Sequence, residues 1–132
     1  PGKVTFFIDF RHPSAQALKE LGDRVAVVSE ANKGLCEVVV REVSSAAPEA
    51  FAPEIVERVA ASVARRGFKA REMISCAGHD ARFAGLIAPA GMVFIPCKDG
   101  ISHNEKESAE PADVAAGTQV IADVLFDLAN EA

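Results

Sequence analysis

The chain changes hydrophobic periodicity several times, in two blocks separated by an Ala-, Ser- and Pro-rich stretch from Ser44 to Pro53. Strand-like runs alternating with helix-like runs limit the fold to α/β layers, in which strands pair in parallel through helical crossovers. In the first block, Val4 to Arg11 alternates. Val4, Phe6, Ile8 and Phe10 point one way, and Thr5, Phe7, Asp9 and Arg11 the other. Pro13 and Ser14 then open a helix with Ser14 as its cap. Leu18, Leu21, Val25 and Val28 carry it at helical spacing and Gly34 stops it. Taken alone, Arg24 to Val28 also reads as a strand. Leu35 to Val43 is rich in β-branched residues and completes a β-α-β unit.

Past the Ser44–Pro53 stretch the pattern restarts. Pro53 opens a helix whose apolar stripe is Ile55, Val56, Val59, Ala60 and Val63. Arg65 and Arg66 suit its last turn and Gly67 ends it. Phe68 to Ser75 reads as a strand, His79 to Ile87 as a short helix and Ala90 to Ile95 as a buried strand. Pro111 starts the final helix, with Val114, Ile121, Val124, Leu125 and Leu128 expected inward. Two such blocks in one short chain give two incomplete sheets, each with a bare edge and an uncovered face. The pattern resembles the tail of one domain followed by the end of another, and an opening on Pro1-Gly2 without a methionine suggests a piece of something longer.

Composition excludes several classes. At 132 residues, 49% hydrophobic and 25% charged, the chain is ordinary for a globular protein rather than a disordered one. A net charge of −5 without any Lys/Arg run argues against a nucleic-acid platform. No apolar stretch approaches a membrane span, and the start runs into strand-like sequence rather than a secretory signal. Cys36, Cys76 and Cys97 are odd in number and lack C-x-x-C spacing. This fits reduced thiols in a cytoplasmic protein, with Cys76 and Cys97 read as buried small residues and a ligand role for either as the lesser alternative.

The chemistry concentrates at two histidines. His79 lies in Cys76-Ala77-Gly78-His79-Asp80-Ala81 and His103 in Asp99-Gly100-Ile101-Ser102-His103-Asn104. Histidines in glycine-containing loops at strand ends are where α/β proteins place metal ligands and substrate contacts. Each feature also has a plain structural role: a hydrogen-bonded loop histidine, a solvated Arg11, Asp80 as a helix N-terminal acid, and Lys106 to Glu110 as solvated loop.

Three motifs in register raise these residues above those roles. Pro1 to Pro13 (with Asp9-Phe10-Arg11-His12-Pro13), Ala77-Gly78-His79-Asp80-Ala81, and Gly100-Ile101-Ser102-His103-Asn104 followed by Glu110-Pro111-Ala112-Asp113 resemble the C-terminal part of the hydantoinase/carbamoylase amidases. This family comprises N-carbamoyl-L-amino-acid hydrolases, allantoate amidohydrolases and β-ureidopropionases, and is related to the dinuclear-metal aminopeptidases.

The resemblance implies an α/β fold in which residues 1–45 are the second half of a lid (dimerisation) domain. Residues 46–132 would be the C-terminal α/β part of a metallopeptidase-like catalytic domain. It implies His103 as a ligand to one of two Zn²⁺ or Mn²⁺ ions, Gly78 and His79 as substrate contacts, and Arg11 as the grip on a substrate carboxylate. The implied reaction is hydrolysis of a linear amide C–N bond in N-carbamoyl amino acids, allantoate or ureido acids by metal-activated water. The family's other metal ligands and its general-base glutamate fall in the N-terminal half. No catalytic residue is therefore expected in this chain, which on its own is expected to be inactive. Asp99 stands where the family usually has glycine. The implied partners are a small carboxylate-bearing amide, the missing N-terminal half and a second copy, with no nucleic acid and no membrane. A non-catalytic α/β interaction module derived from the family, or a related clan metallopeptidase, are the alternative readings.

Overall fold

A computed structural model describes residues 2–131, and among them the regular elements are helical. These are α1 (Ala15–Asn32), α2 (Pro53–Arg65), the short α3 (Asp80–Ala84) and α4 (Pro111–Asn130), with a single 3-10 turn at Lys98–Gly100. The chain divides into two units, Pro1–Ala50 with Ile74–Ala77, and Phe51–Met73 with Gly78–Ala132.

In the first unit α1 begins where its sequence signals place it. Ser14 has extended backbone and its Oγ accepts the Ala17 N–H at 3.3 Å, which satisfies one of the helix's open N-terminal donors. The helix runs through Arg24–Val28, so the strand alternative for that stretch is wrong. Gly34, with φ 59°, turns the chain past its end. No residue of α1 is buried.

The second unit carries the core. α2 opens on Pro53 and closes in a Schellman arrangement. Phe68 N–H donates to the Val63 carbonyl and Gly67 N–H to that of Ala64, each at 3.1 Å, with Gly67 at φ 67°. α2 packs on α4. The residues buried in α4 are Gly117, Val120 and Val124, and Val120 is only 2% exposed. Of the five α4 residues expected inward, only Val124 is buried. Val114, Ile121, Leu125 and Leu128 remain exposed, because the contact face is the 117/120/124 stripe rather than the one through 121 and 125. Two glycines mark close approaches to this core. A Cβ on Gly91 would lie 2.6 Å from Ile55 Cγ2, and one on Gly117 would lie 2.6 Å from Ile95 Cγ2.

Ionic contacts flank the apolar seam. Gln119, Asp123, Asp127 and Glu131 recur at four-residue intervals along one side of α4, facing Arg58, Ser62, Arg65 and Arg66. Arg66 grips Asp123 bidentately, Nη2 to Oδ1 at 2.6 Å and Nε to Oδ2 at 2.7 Å. The fully buried Ser62 donates to Asp123 Oδ2 at 2.7 Å. Arg66 and then Ser62 hold the Asp123 carboxyl well below the ordinary carboxylate range. Arg65, expected only to suit the end of α2, also reaches Asp127 at 3.0 Å.

The four strand-like runs form no ladder among the described residues. The α/β reading is therefore met in its helices and unmet in its strands. A helix closes its own backbone hydrogen bonds, whereas a strand exists only beside another strand that accepts and donates in register. The first two runs are also uncovered, with Phe7 81% and Val39 67% exposed, whereas the run read as buried, Ala90 to Ile95, is half-buried except at the exposed Phe94. One backbone bond that the apolar run at 90–95 does make is from Ala52 N–H to the Ala90 carbonyl, at 3.0 Å.

Candidate functional site

Arg11 ends the first strand-like run, in the first unit. The two-residue spacing sets Asp9 beside it, and the guanidinium engages that carboxylate with Nε at 3.2 and 3.1 Å and Nη2 at 2.6 Å. The remaining arm, Nη1, donates to the Cys76 carbonyl at 2.6 Å. Arg11 holds the Asp9 carboxyl below its ordinary pKa and Asp9 holds the Arg11 guanidinium above its own, each mainly through the hydrogen bond. Both side chains are more than half exposed, so the pair orients the fork more than it stabilises the fold.

Gly78 and His79 lie at the start of α3 in the second unit. His79 is the N-cap residue in extended conformation, without a side-chain capping bond. Its half-buried ring meets Phe94 edge-on, with centroids 5.5 Å apart and planes at 64°. A Cβ on Gly78 would meet nothing within 4 Å, so packing within the chain does not explain a glycine there. Asp80 occupies the first turn of α3, where its charge complements the helix dipole.

His103 is exposed and sits in the left-handed region at φ 57°. Three residues of this loop have positive φ: Asp99 at 55°, Gly100 at 69° and His103. Asp99, noted in the sequence as replacing a glycine, thus keeps a glycine-type conformation. The loop is closed at its neck by Lys98 N–H to the Ser108 carbonyl at 2.7 Å. Glu107 spans its interior. Oε2 accepts the His103 backbone N–H at 2.7 Å, and Oε1 lies 3.7 Å from the Cys97 thiol.

The donor set fits one coordination position rather than a metal site. Among the described residues no group of three or more His, Cys, Asp or Glu side chains could hold an ion. Burial, and then the Glu107 carboxylate, push the Cys97 thiol up, away from the thiolate that ligation requires. Glu107 is committed to the His103 amide. Cys76 is exposed and Cys97 only half-buried, contrary to the expectation that both are buried; Cys36 is exposed as well.

The family model for "Peptidase family M20/M25/M40" matches residues 4–127. The chain belongs to this family. It is 38% identical over 131 residues to an N-carbamoyl-L-amino-acid amidohydrolase of Rhizobium meliloti, covering 96% of this chain and 30% of that protein. Against an allantoate amidohydrolase of Bacillus subtilis it is 32% identical, covering 98% of this chain and 32% of the relative. A crystal structure of an amidase of the hydantoinase/carbamoylase family from Burkholderia vietnamiensis superposes with a TM-score of 0.73 at 40% identity, over 91% of this chain and 30% of that one. The chain thus spans about 30% of the length of the M20 relatives it matches.

Reading the sequence missed Glu107, assigned to a solvated loop, and Phe94, read only as buried strand. A signal for Glu107 was present: an acidic side chain four residues after a histidine, in a loop where Asp99 stands in for glycine. Phe94 had none, because its contact with His79 crosses a turn and a helix.

Proposed function

We propose that this M20-family chain supplies the C-terminal part of a metal-dependent amidohydrolase that cleaves linear C–N bonds of N-carbamoyl amino acids, allantoate or ureido acids. The observation that carries this is the match over residues 4–127, with the three motifs in order and a carbamoylase-family structure at 40% identity. In this reading Arg11 binds a substrate carboxylate, with Asp9 holding its fork in place. Gly78 and His79 line the substrate, the open space beside Gly78 leaving room for it. His103 offers one ligand position to a Zn²⁺ or Mn²⁺ pair, whose other ligands come from outside these residues.

Residues 1–45 serve as half of the lid and 46–132 as the end of the catalytic domain. The runs at 4–11, 35–43, 68–75 and 90–95 are strands of sheets whose neighbouring strands lie elsewhere in the enzyme. Their exposed Phe6, Phe7, Val39 and Ile74 support this. A second copy pairing through the lid, and a cytoplasmic setting, complete the proposal. No described helix is long and apolar enough to cross a membrane.

The test joins this chain to the N-terminal two-thirds of the R. meliloti relative, loads Zn²⁺ or Mn²⁺, and measures hydrolysis of N-carbamoyl amino acids and allantoate. The hybrid turns over. The chain alone does not. Arg11→Lys raises KM by about tenfold or more by losing the bidentate grip. Turnover by the isolated chain, or full activity of a hybrid carrying Arg11→Ala and His103→Ala, would refute the assignment.

A further inference from the structure

We propose that Glu107 is the positioning residue of the His103 turn, its carboxylate bridging the His103 amide and the Cys97 thiol so that the histidine is held in left-handed backbone with its ring to solvent. What the imidazole then faces rests on the reading given above; the positioning itself does not.

Three observations support it. A non-glycine residue at φ 57° is uncommon and persists where its surroundings over-determine it. At His103 the short contact from its N–H to Glu107 Oε2, 2.7 Å, is a charge-assisted hydrogen bond to the residue's own backbone, the group that the left-handed conformation turns. The second carboxylate oxygen meets Cys97 on the opposite limb of the loop, so one side chain ties both limbs together. Glu107 is itself fixed by its N–H to the Asn104 carbonyl at 2.9 Å. The Asn104 side chain accepts from Lys106 N–H at 3.0 Å, giving a tight turn between the histidine and its acceptor. The neck bond from Lys98 to Ser108 sets the two limbs at the spacing Glu107 spans.

The geometry separates two substitutions. Glutamine at 107 keeps chain length and one acceptor oxygen. Aspartate keeps charge but is one methylene too short to reach both limbs. The experiment uses the purified 132-residue chain and follows the His103 backbone by NMR, through amide shift, φ-dependent coupling and hydrogen exchange. Helix ellipticity is the control for folding. Glu107→Gln is expected to retain the left-handed coupling and most of the amide protection. Glu107→Asp and Glu107→Ala are expected to lose both, with exchange at His103 faster by roughly tenfold or more. Rescue by glutamine but not by aspartate shows that reach, not charge, does the positioning.

Unchanged His103 coupling and exchange in the aspartate and alanine variants would overturn the proposal. Equal loss in all three variants at intact helix content would keep Glu107 as the positioning residue and assign the hold to its charge rather than its reach. Should the alanine variant lose its helices, the glutamine–aspartate pair decides alone. The ligand reading fails separately. Zn²⁺ affinity of the hybrid enzyme unaffected by His103→Ala would remove it while leaving the backbone result standing.

Discussion

Gly117→Ala sets two effects of opposite sign against each other. On a solvent-facing helix, replacing an interior glycine by alanine gains about 1 kcal/mol in propensity. In α4 the added Cβ would lie 2.6 Å from Ile95 Cγ2, whereas carbon atoms rest about 3.5–4.0 Å apart. The obstructing methyl sits on a stiff β-branched carbon, so relief requires the 90–95 segment or α4 itself to shift. Overpacking of this kind costs about 1–3 kcal/mol. The variant should therefore fail to show the gain, and should lose up to about 2 kcal/mol in urea unfolding followed at 222 nm. Ile95→Leu moves the branch from Cβ to Cγ and removes that methyl. In its background the same glycine change should recover its gain of about 1 kcal/mol, giving a coupling of about 1–3 kcal/mol in the double-mutant cycle. Stabilisation by about 1 kcal/mol in both backgrounds would refute the packing of Ile95 over Gly117 and the account of why α4 carries a glycine.

Three further outcomes are expected. Asp123 has a folded pKa depressed by Arg66 and Ser62 from an ordinary value of 3.8. The unfolded chain binds the proton first, so its contribution is complete above roughly pH 5 and is lost as pH falls below about 4 toward the folded value. Acid titration of helix content should show that loss, and Asp123→Asn should flatten it. Ser14→Ala removes the cap of α1 and should cost about 1 kcal/mol of helix stability. Reduced amide protection confined to the first turn of α1 would report it, and unchanged protection there would contradict the capping bond. Asp99→Gly should be close to neutral. Asp99→Val, β-branched at φ 55°, should destabilise the 97–108 loop by about 1–2 kcal/mol in thermal unfolding, and equal stability of the two would remove the left-handed assignment.

The helices were legible because their signals are local. Ser14, Pro53, Gly34, Gly67 and Pro111 act within a few residues of themselves, and all five stand at helix boundaries as read. The inward face of α4 was not legible. Leu125 and Ile121 are as apolar as Val120 and Val124, and the approach of α2 and of the 90–95 segment selects between the stripes. Motif residues were found by their order, but neither the Asp9 grip on Arg11 nor the Phe94 ring beside His79 follows from order. Cys97 illustrates the gap: its type left a ligand role open as the lesser alternative, and burial followed by its neighbour Glu107 disfavours the thiolate.

What the sequence determined alone is where the three long helices begin, which motifs occur, and hence the family, while the short helix read over His79 to Ile87 closes at Ala84. Tertiary structure decided which helix face is covered, that a glutamate holds the His103 turn, and that the strand-like runs stay unpaired here. The division follows from where hydrogen bonds close. A helix or a cap satisfies its donors within a few residues, while a ladder, a buried stripe and a carboxylate clamp each need a partner whose position no local stretch of sequence specifies.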